Sequence, residues 1–338
     1  MQITSVGLDI AKTVFQVHAV DARGRPVLRK RLNREKVLEF FATLPRCLIG
    51  LEASSSAHYW ARELAKLGHD VRLMPPQYVK AYVKTNKHDA ADAEACCEAV
   101  QRPSMRFVPV KGEEQQARLM LHRLRDQLIG QRTATINALR GHLAEFGLVA
   151  ARDRRGLAAL LAVIGDIEDG RLPPLARELL AVLAVQLREL DQRVEALDRR
   201  LLGIARADAV CARLVGVPGI GPIIATALVA TVTDVRLFTS GRHFAAWLGL
   251  VPREHSSGGK QRLLGLSKRG DSYLRRQLIH GARALVRLAK SREGTLWGWI
   301  NGLLTRRPFN VTVAAVANKL ARIAWVILAR NESWRAAG

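Results

Sequence analysis

The chain is poor in acid. Its 338 residues hold 30 Asp and Glu against 53 Lys and Arg, a formal charge of +23 and a pI near 11.0. It is also poor in cysteine, with four. Cys96 and Cys97 are adjacent, and Cys47 and Cys211 stand alone, so neither zinc-ligand spacing nor a disulfide framework is present. No stretch approaches about 18 uninterrupted apolar residues. The best candidate, Phe309 to Ala329, is broken by Lys319 and Arg322 and reads as a buried helix. The N-terminal sequence MQITSVGLDIAK lacks the basic-then-apolar order of a signal peptide. These absences exclude a disulfide scaffold, argue against a membrane span or membrane partner, and point to a cytoplasmic protein.

What is present is the composition of a folded protein, 49% hydrophobic and 25% charged. The surplus positive charge therefore sits on folded surface, and the usual partner of such a surface is a polyanion, DNA or RNA. A merely basic soluble surface is the alternative. Placement sharpens the point. Residues 1–110 hold 17 Lys and Arg against 11 acids, residues 111–252 hold 19 against 15, and residues 253–338 hold 17 against 4. The chain divides into three parts: 1–110, 111–207 and 208–338.

The first part alternates α and β. Ile3 to Ile10, Thr13 to Val20 and Pro26 to Leu32 read as a meander of three antiparallel strands. A helix over Arg34 to Leu44, a strand over Arg46 to Leu51 and a helix over Ser56 to Leu67 follow. Strand Asp70 to Met74 and a helix from His88 or Asp89 to Ala99 complete the part. That order is the order of the ribonuclease-H-like fold. Within it, Asp9 interrupts the most apolar strand, where a carboxylate is costly without a metal or a donor. Glu52 ends the fourth strand, and Asp89 and Asp92 share one face of a helix. Together the four could hold two Mg²⁺ ions, the hard cations that phosphodiester-cutting sites use. Singly, Asp9 could equally be a hydrogen-bonded strand residue, and Asp89 and Asp92 suit a helix N-terminus.

The middle part is helical. Glu113 to Phe146 lacks proline, and Leu183, Leu187, Leu190, Val194, Leu197, Leu201 and Ile204 form a heptad seam. Two long helices separated by a connection at Gly165 to Pro174 imply an antiparallel hairpin or an intermolecular coiled coil. Oligomerisation is the favoured reading and an intramolecular spacer the other.

The last part carries the nucleic-acid signals and is mostly helical. Leu214 to Pro222 (LVGVPGIGP) before an apolar helix resembles a helix-hairpin-helix element, with Gly219 and Gly221 letting backbone N–H groups approach a phosphate. An ordinary interhelix turn has the same sequence pattern. Ser256-Ser257-Gly258-Gly259 reads as an exposed, flexible loop ringed by Arg253, Lys260, Arg262, Lys268 and Arg269, with Arg275 and Arg276 on the helix that follows. Nearby cations would favour a serine nucleophile and its transition state. Alone, such a loop is more often only a loop.

The Asp9, Glu52, Asp89, Asp92 series and the segment HSSGGKQRLLGLSKRGDSYLRRQLIHGA together resemble the DEDD-type insertion-sequence transposases, serine-dependent recombinases that work with a bridge RNA. The resemblance spans essentially the whole chain. It implies a RuvC-like metal-dependent domain, a coiled-coil arm and a C-terminal transposase domain. It also implies that the four carboxylates bind Mg²⁺. The family's serine precedes a glycine and so falls on Ser257, although Ser256 and Ser257 are equivalent from the residues alone. That serine would attack a DNA phosphate covalently, with the two parts meeting between subunits of a homo-oligomer, dimer or tetramer. A structured non-coding guide RNA would pair with donor and target DNA. Two other readings stay open. One is a Mg²⁺-dependent nuclease or Holliday-junction-type resolvase in which water attacks and Ser257 is incidental. The other is a non-enzymatic architectural DNA binder, against which the intact acidic quartet argues.

Overall fold

The structure is a computed structural model that describes residues 2–84 and 88–335. The chain packs into two compact units, Met1–Gln116 and Ala117–Gly338. The helical arm and the C-terminal part, read from the sequence as two pieces, share the second unit.

The first unit is built on a five-stranded mixed sheet. Strands β1 (Ser5–Asp9), β2 (Val14–Val20) and β3 (Pro26–Asn33) form the antiparallel meander expected from their alternation. After α1 (Val37–Ala42), strand β4 (Leu48–Glu52) runs parallel to β1. After α2 (Ala57–Lys66), strand β5 (Asp70–Met74) runs parallel to β4, giving the order β3-β2-β1-β4-β5. This is the strand order of a ribonuclease-H-like domain. A short α3 (Pro76–Val79) and then α4 (Asp89–Val100) follow.

Strands β1 and β4 are central and are covered on both faces, so they read as near-continuous apolar runs. On one face Val6, Leu8, Ile49 and Leu51 are completely buried with Phe15, Phe41, Trp60 and Leu64. On the other face lies α4. Its close seat is possible because two of the residues beneath it are glycines. A Cβ on Gly7 would lie 2.0 Å from the Ala93 carbonyl oxygen, and one on Gly50 would lie 2.8 Å from that of Cys96.

The second unit begins with a helical hairpin. Helices α5 (Glu113–Ala144) and α7 (Pro174–Ala207) run antiparallel, joined through α6 (Arg154–Gly165). The sequence reading has two helices here, and α6 is the correction. Its Leu157, Leu160, Leu161 and Ile164 do follow helical spacing, and Asp153 caps it by accepting the Gly156 N–H at 2.7 Å. Most of the heptad seam of α7 is occupied within the chain. Leu190, Val194 and Leu197 pack on Leu128 of α5, flanked by ion pairs Arg125–Asp198 and Arg132–Asp191 (3.2 Å). That seam therefore supplies no argument for an intermolecular coil.

The remainder is a helical cluster: α8 (Ala209–Val215), α9 (Pro222–Thr231), α10 (Gly241–Trp247), α11 (Ser272–Leu288), α12 (Thr295–Leu304) and α13 (Phe309–Arg330). A two-stranded hairpin, β6 (Pro252–Glu254) with β7 (Leu263–Leu266), projects between α10 and α11 in sequence. Helix α13 is long and apolar enough to cross a membrane. Here it serves as a core helix, with Val316, Ala317, Ala321 and Ala324 completely buried among residues of α10 and α11.

Candidate active site

Asp9 and Glu52 are the last residues of two neighbouring parallel strands, whose register pairs Leu8 with Leu51. Both carboxylates are thus delivered to one end of the sheet. Asp89 and Asp92 come from the first turn of α4. His88 caps that helix, its Nδ1 accepting the Ala91 N–H at 3.2 Å. Carboxylate oxygens of Asp9, Asp89 and Asp92 lie within 4.8 Å of one another. Glu52 stands beside them and adds to the field at Asp9, although it is not one of the three that close to this distance.

The electrostatics follow from crowding. The Asp9 carboxyl is pushed up to about 6, chiefly by burial and then by the charges of Asp92, Asp89 and Glu52, while the Ile10 N–H opposes the shift. Among the described residues no Lys or Arg pairs with Asp9, Asp89 or Asp92 within ion-pair distance. Like charges held this close are relieved by a proton or by a cation, and an all-oxygen donor set suits a hard divalent one. The residues therefore fit a divalent metal. Beneath them Cys96 and Cys97 are buried, and burial raises both thiols well above their ordinary range.

The serine segment lies at the tip of the β6–β7 hairpin, exposed as expected, and forms a tight turn there. Gly258 and Gly259 have φ of 55° and 75°, and the Lys260 N–H donates to the Ser257 carbonyl at 3.0 Å. Positive φ at both central residues is what a two-residue type I′ hairpin turn requires, and glycine meets it without strain. The two serines are not equivalent here. Ser256 Oγ donates to Glu254 Oε1 at 2.7 Å and accepts the Arg262 N–H at 3.1 Å. Ser257 is exposed at the turn itself. Arg253, Lys260 and Arg262 are exposed on the same hairpin, Lys268 and Arg269 are exposed at its base, where the Lys268 N–H meets the Gly249 carbonyl, and among the described residues no carboxylate pairs with the five.

The other expected contact residues are engaged within the fold. Arg275 Nη1 donates to the Leu248 and Arg269 carbonyls at 3.1 and 2.9 Å, tying down the segment after β7. Arg276 pairs with Asp126 at 2.5 Å and lies over the Tyr273 ring. Gly219 occupies a Pro-Gly turn between α8 and α9, with φ +84° and the Ile220 N–H bonded to the Val217 carbonyl at 2.9 Å. It lies against α11, where a Cβ on Gly281 would sit 2.0 Å from the Gly219 oxygen. Close backbone packing thus accounts for Gly219, whereas Gly221 faces open space as the N-cap of α9.

Sequence reasoning passed over Gly7 and Gly50, which seat α4. It also passed over Arg29, Arg31 and Lys84, which line a cavity beside the carboxylates. Glycine at interior strand positions signals close approach of another backbone and could have found the first pair.

Comparison with known proteins gives a consistent picture. Residues 6–147 match the model of the IS110-type DEDD domain, described as a transposase, and residues 211–296 match the model described as the transposase IS116/IS110/IS902 family. A "Probable family 20 transposase" of Pseudomonas aeruginosa is 53% identical over 99% of both chains. The "Transposase for insertion sequence element IS1328" of Yersinia enterocolitica is 42% identical over 96% of both. The "Transposase for insertion sequence element IS1111A" of Coxiella burnetii is 40% identical over 98% of this chain and 92% of its own length.

Proposed function

The chain belongs to the IS116/IS110/IS902 family of insertion-sequence transposases, enzymes that cut and transfer DNA, and from that premise we propose how it does so. Asp9, Glu52, Asp89 and Asp92 hold Mg²⁺, and Ser257 is the nucleophile. The observation that carries the proposal is the convergence of Asp9, Asp89 and Asp92 oxygens within 4.8 Å. Held by these residues, Mg²⁺ would polarise a phosphate and offset the charge that develops on it.

In the serine step a bond forms between Ser257 Oγ and phosphorus as one P–O bond of the strand breaks. The hydroxyl proton leaves to water, and the departing sugar oxygen takes one up. Rejoining reverses this with the hydroxyl of a different strand. The exposed Arg253, Lys260 and Arg262 offset the negative charge that grows on the phosphate oxygens. Ser256, bonded on both sides, holds the turn while Ser257 is presented. Lys268 and Arg269 extend the same basic surface toward the DNA backbone, and Gly221 at the start of α9 supports a further backbone contact.

We assign two more partners. A structured guide RNA would share the basic surface, since RNA and DNA backbones need the same countercharge. A homo-oligomer, dimer or tetramer, is supported by Leu175, Leu179 and Val182, which lie 59–67% exposed along one stripe of α7.

Ser257→Ala tests the proposal. The variant should bind DNA but lose both strand exchange and the covalent protein–DNA adduct, while Ser256→Ala keeps the adduct. Exchange that survives Ser257→Ala refutes the serine step. Cutting without an adduct in the wild-type protein would assign water as the attacking group, as in a resolvase.

A further inference from the structure

We propose that the cavity between strands β2–β3 and the start of α4 grips a phosphodiester of the nucleic-acid strand that passes over the Asp9, Asp89 and Asp92 cluster. The inference rests on that cluster being the cutting site. The cavity has a volume of about 400 Å³ and is lined by Gln16, His18, Arg29, Arg31, Lys84 and His88 among others.

Register places it next to the carboxylates. Asp9 pairs with Gln16 and Gln16 with Arg31, so the three stand in one row across β1, β2 and β3. The neighbouring row is Gly7, His18 and Arg29. Cross-strand partners share a face of the sheet, and this is the face on which α4 rests at Gly7. Arg31 therefore stands two strand spacings, about 10 Å, from the Asp9 backbone. A guanidinium at that remove reaches a phosphate one or two steps along the strand from the bond that is cut.

The charge pattern fits the same ligand. Among the described lining residues Glu94 is the only carboxylate, and it accepts from Lys84 at 3.2 Å and Arg29 at 3.4 Å. Arg31 is exposed, with no paired carboxylate among the described residues. His18 is 4% exposed, lines the cavity, and has no hydrogen-bond partner for its ring among them. A buried polar ring turned toward a cationic hollow is suited to a hydrogen bond with an anion that enters it. A strand approaching clustered carboxylates is repelled by them, and cations on its flank offset that repulsion before any metal arrives.

The test measures binding in EDTA, so it is independent of cutting. Oligonucleotides spanning the cut site carry one neutral methylphosphonate at successive positions, and fluorescence anisotropy gives their affinity for the wild type and for Arg29→Gln/Arg31→Gln. In the wild type, neutralising one phosphate within two of the cut should weaken binding about fivefold. The double variant should bind the unmodified strand about that much more weakly and lose all sensitivity at that position. Arg29→Lys/Arg31→Lys should restore it in part, and thermal unfolding should show each variant folded. Parallel arms with DNA and RNA strands of one sequence identify the strand gripped, by where the sensitivity appears. An interference profile identical in the wild type and the glutamine variant overturns the grip. Continued cutting by Asp9→Asn instead overturns the assignment of the cluster, a result the binding profile does not depend on.

Discussion

Gly7 of β1 and Gly50 of β4 are register partners, and α4 lies directly on the pair. Two missing side chains let the helix descend onto the sheet, and that descent brings Asp89 and Asp92 to Asp9. The acidic cluster is thus a consequence of packing two residues inside each strand end.

Gly7→Ala should be the most damaging single-methyl change in this domain. The new Cβ would meet the Ala93 oxygen and the Cys97 nitrogen, both backbone atoms that yield only if α4 moves. Overpacking of this kind costs about 3 kcal/mol. Urea unfolding should show that loss, and strand cleavage should fall further than stability alone accounts for. Gly203→Ala, in the interior of α7 with open space around it, should instead gain up to about 1 kcal/mol.

Asp9→Asn separates repulsion from function. Removing one of the crowded charges should raise the unfolding temperature in EDTA by about 2 °C. The stabilisation that added Mn²⁺ or Mg²⁺ gives the wild-type protein should vanish. A variant still stabilised by metal as strongly as the wild type would place the metal elsewhere.

The turn at Ser257 should tolerate only residues that accept positive φ. Gly259→Val should lower strand exchange at least tenfold, with DNA binding within about twofold, because a β-branched residue is strained there. Gly258→Asn should be far milder, since asparagine adopts this region more readily. Equal losses in both would show that turn geometry is not what matters.

Acid should weaken the second unit through His122. This ring is 2% exposed, with Nδ1 3.0 Å from the Tyr273 hydroxyl. Burial, and after it the Arg125 charge, lower it to about 4, against a weaker opposing pull from the Thr226 carbonyl. A folded-state value below the unfolded 6.5 means its contribution is complete above 6.5 and is lost as pH falls toward 4. The loss amounts to about 3 kcal/mol at most. Urea midpoints at pH 7.5 and 5.0 should converge in His122→Gln relative to the wild type.

Leu179→Glu/Val182→Glu examines the uncovered stripe of α7. Both side chains are mostly exposed, so the folded chain should keep its stability. Its mass in solution should fall to that of a single chain, measured by light scattering. An unchanged oligomer would remove the stripe as an interface.

Much of this molecule was legible because its signals are local and periodic. The five strands alternate or run apolar, and Asp9 stands out because its sequence neighbours Leu8 and Ile10 are apolar. Helix α6 was missed although its spacing is helical, because Gly156 and Gly165 punctuate it and glycine normally ends a helix. Gly156 is tolerated because it packs on the Ala151 backbone, where a Cβ would come within 2.0 Å. The β6–β7 hairpin was missed because its strands have three and four residues, too short to show alternation. The charges of Arg29 and Arg31 gain meaning only from the rows they share with His18 and Gln16, which depend on register across three strands.

The β6–β7 hairpin has one more consequence. Its first strand is wholly exposed, and only Leu264 and Leu266 of the second are half-buried, while a lone two-stranded hairpin is marginally ordered in water. The turn that presents Ser257 therefore draws its rigidity from outside itself. On the proposed serine mechanism, nucleic acid seated on the cations of the hairpin would fix the hydroxyl's position, so the entropy of ordering it would be lost only on a bound strand. On that mechanism the enzyme would be readied by the DNA it is about to cut.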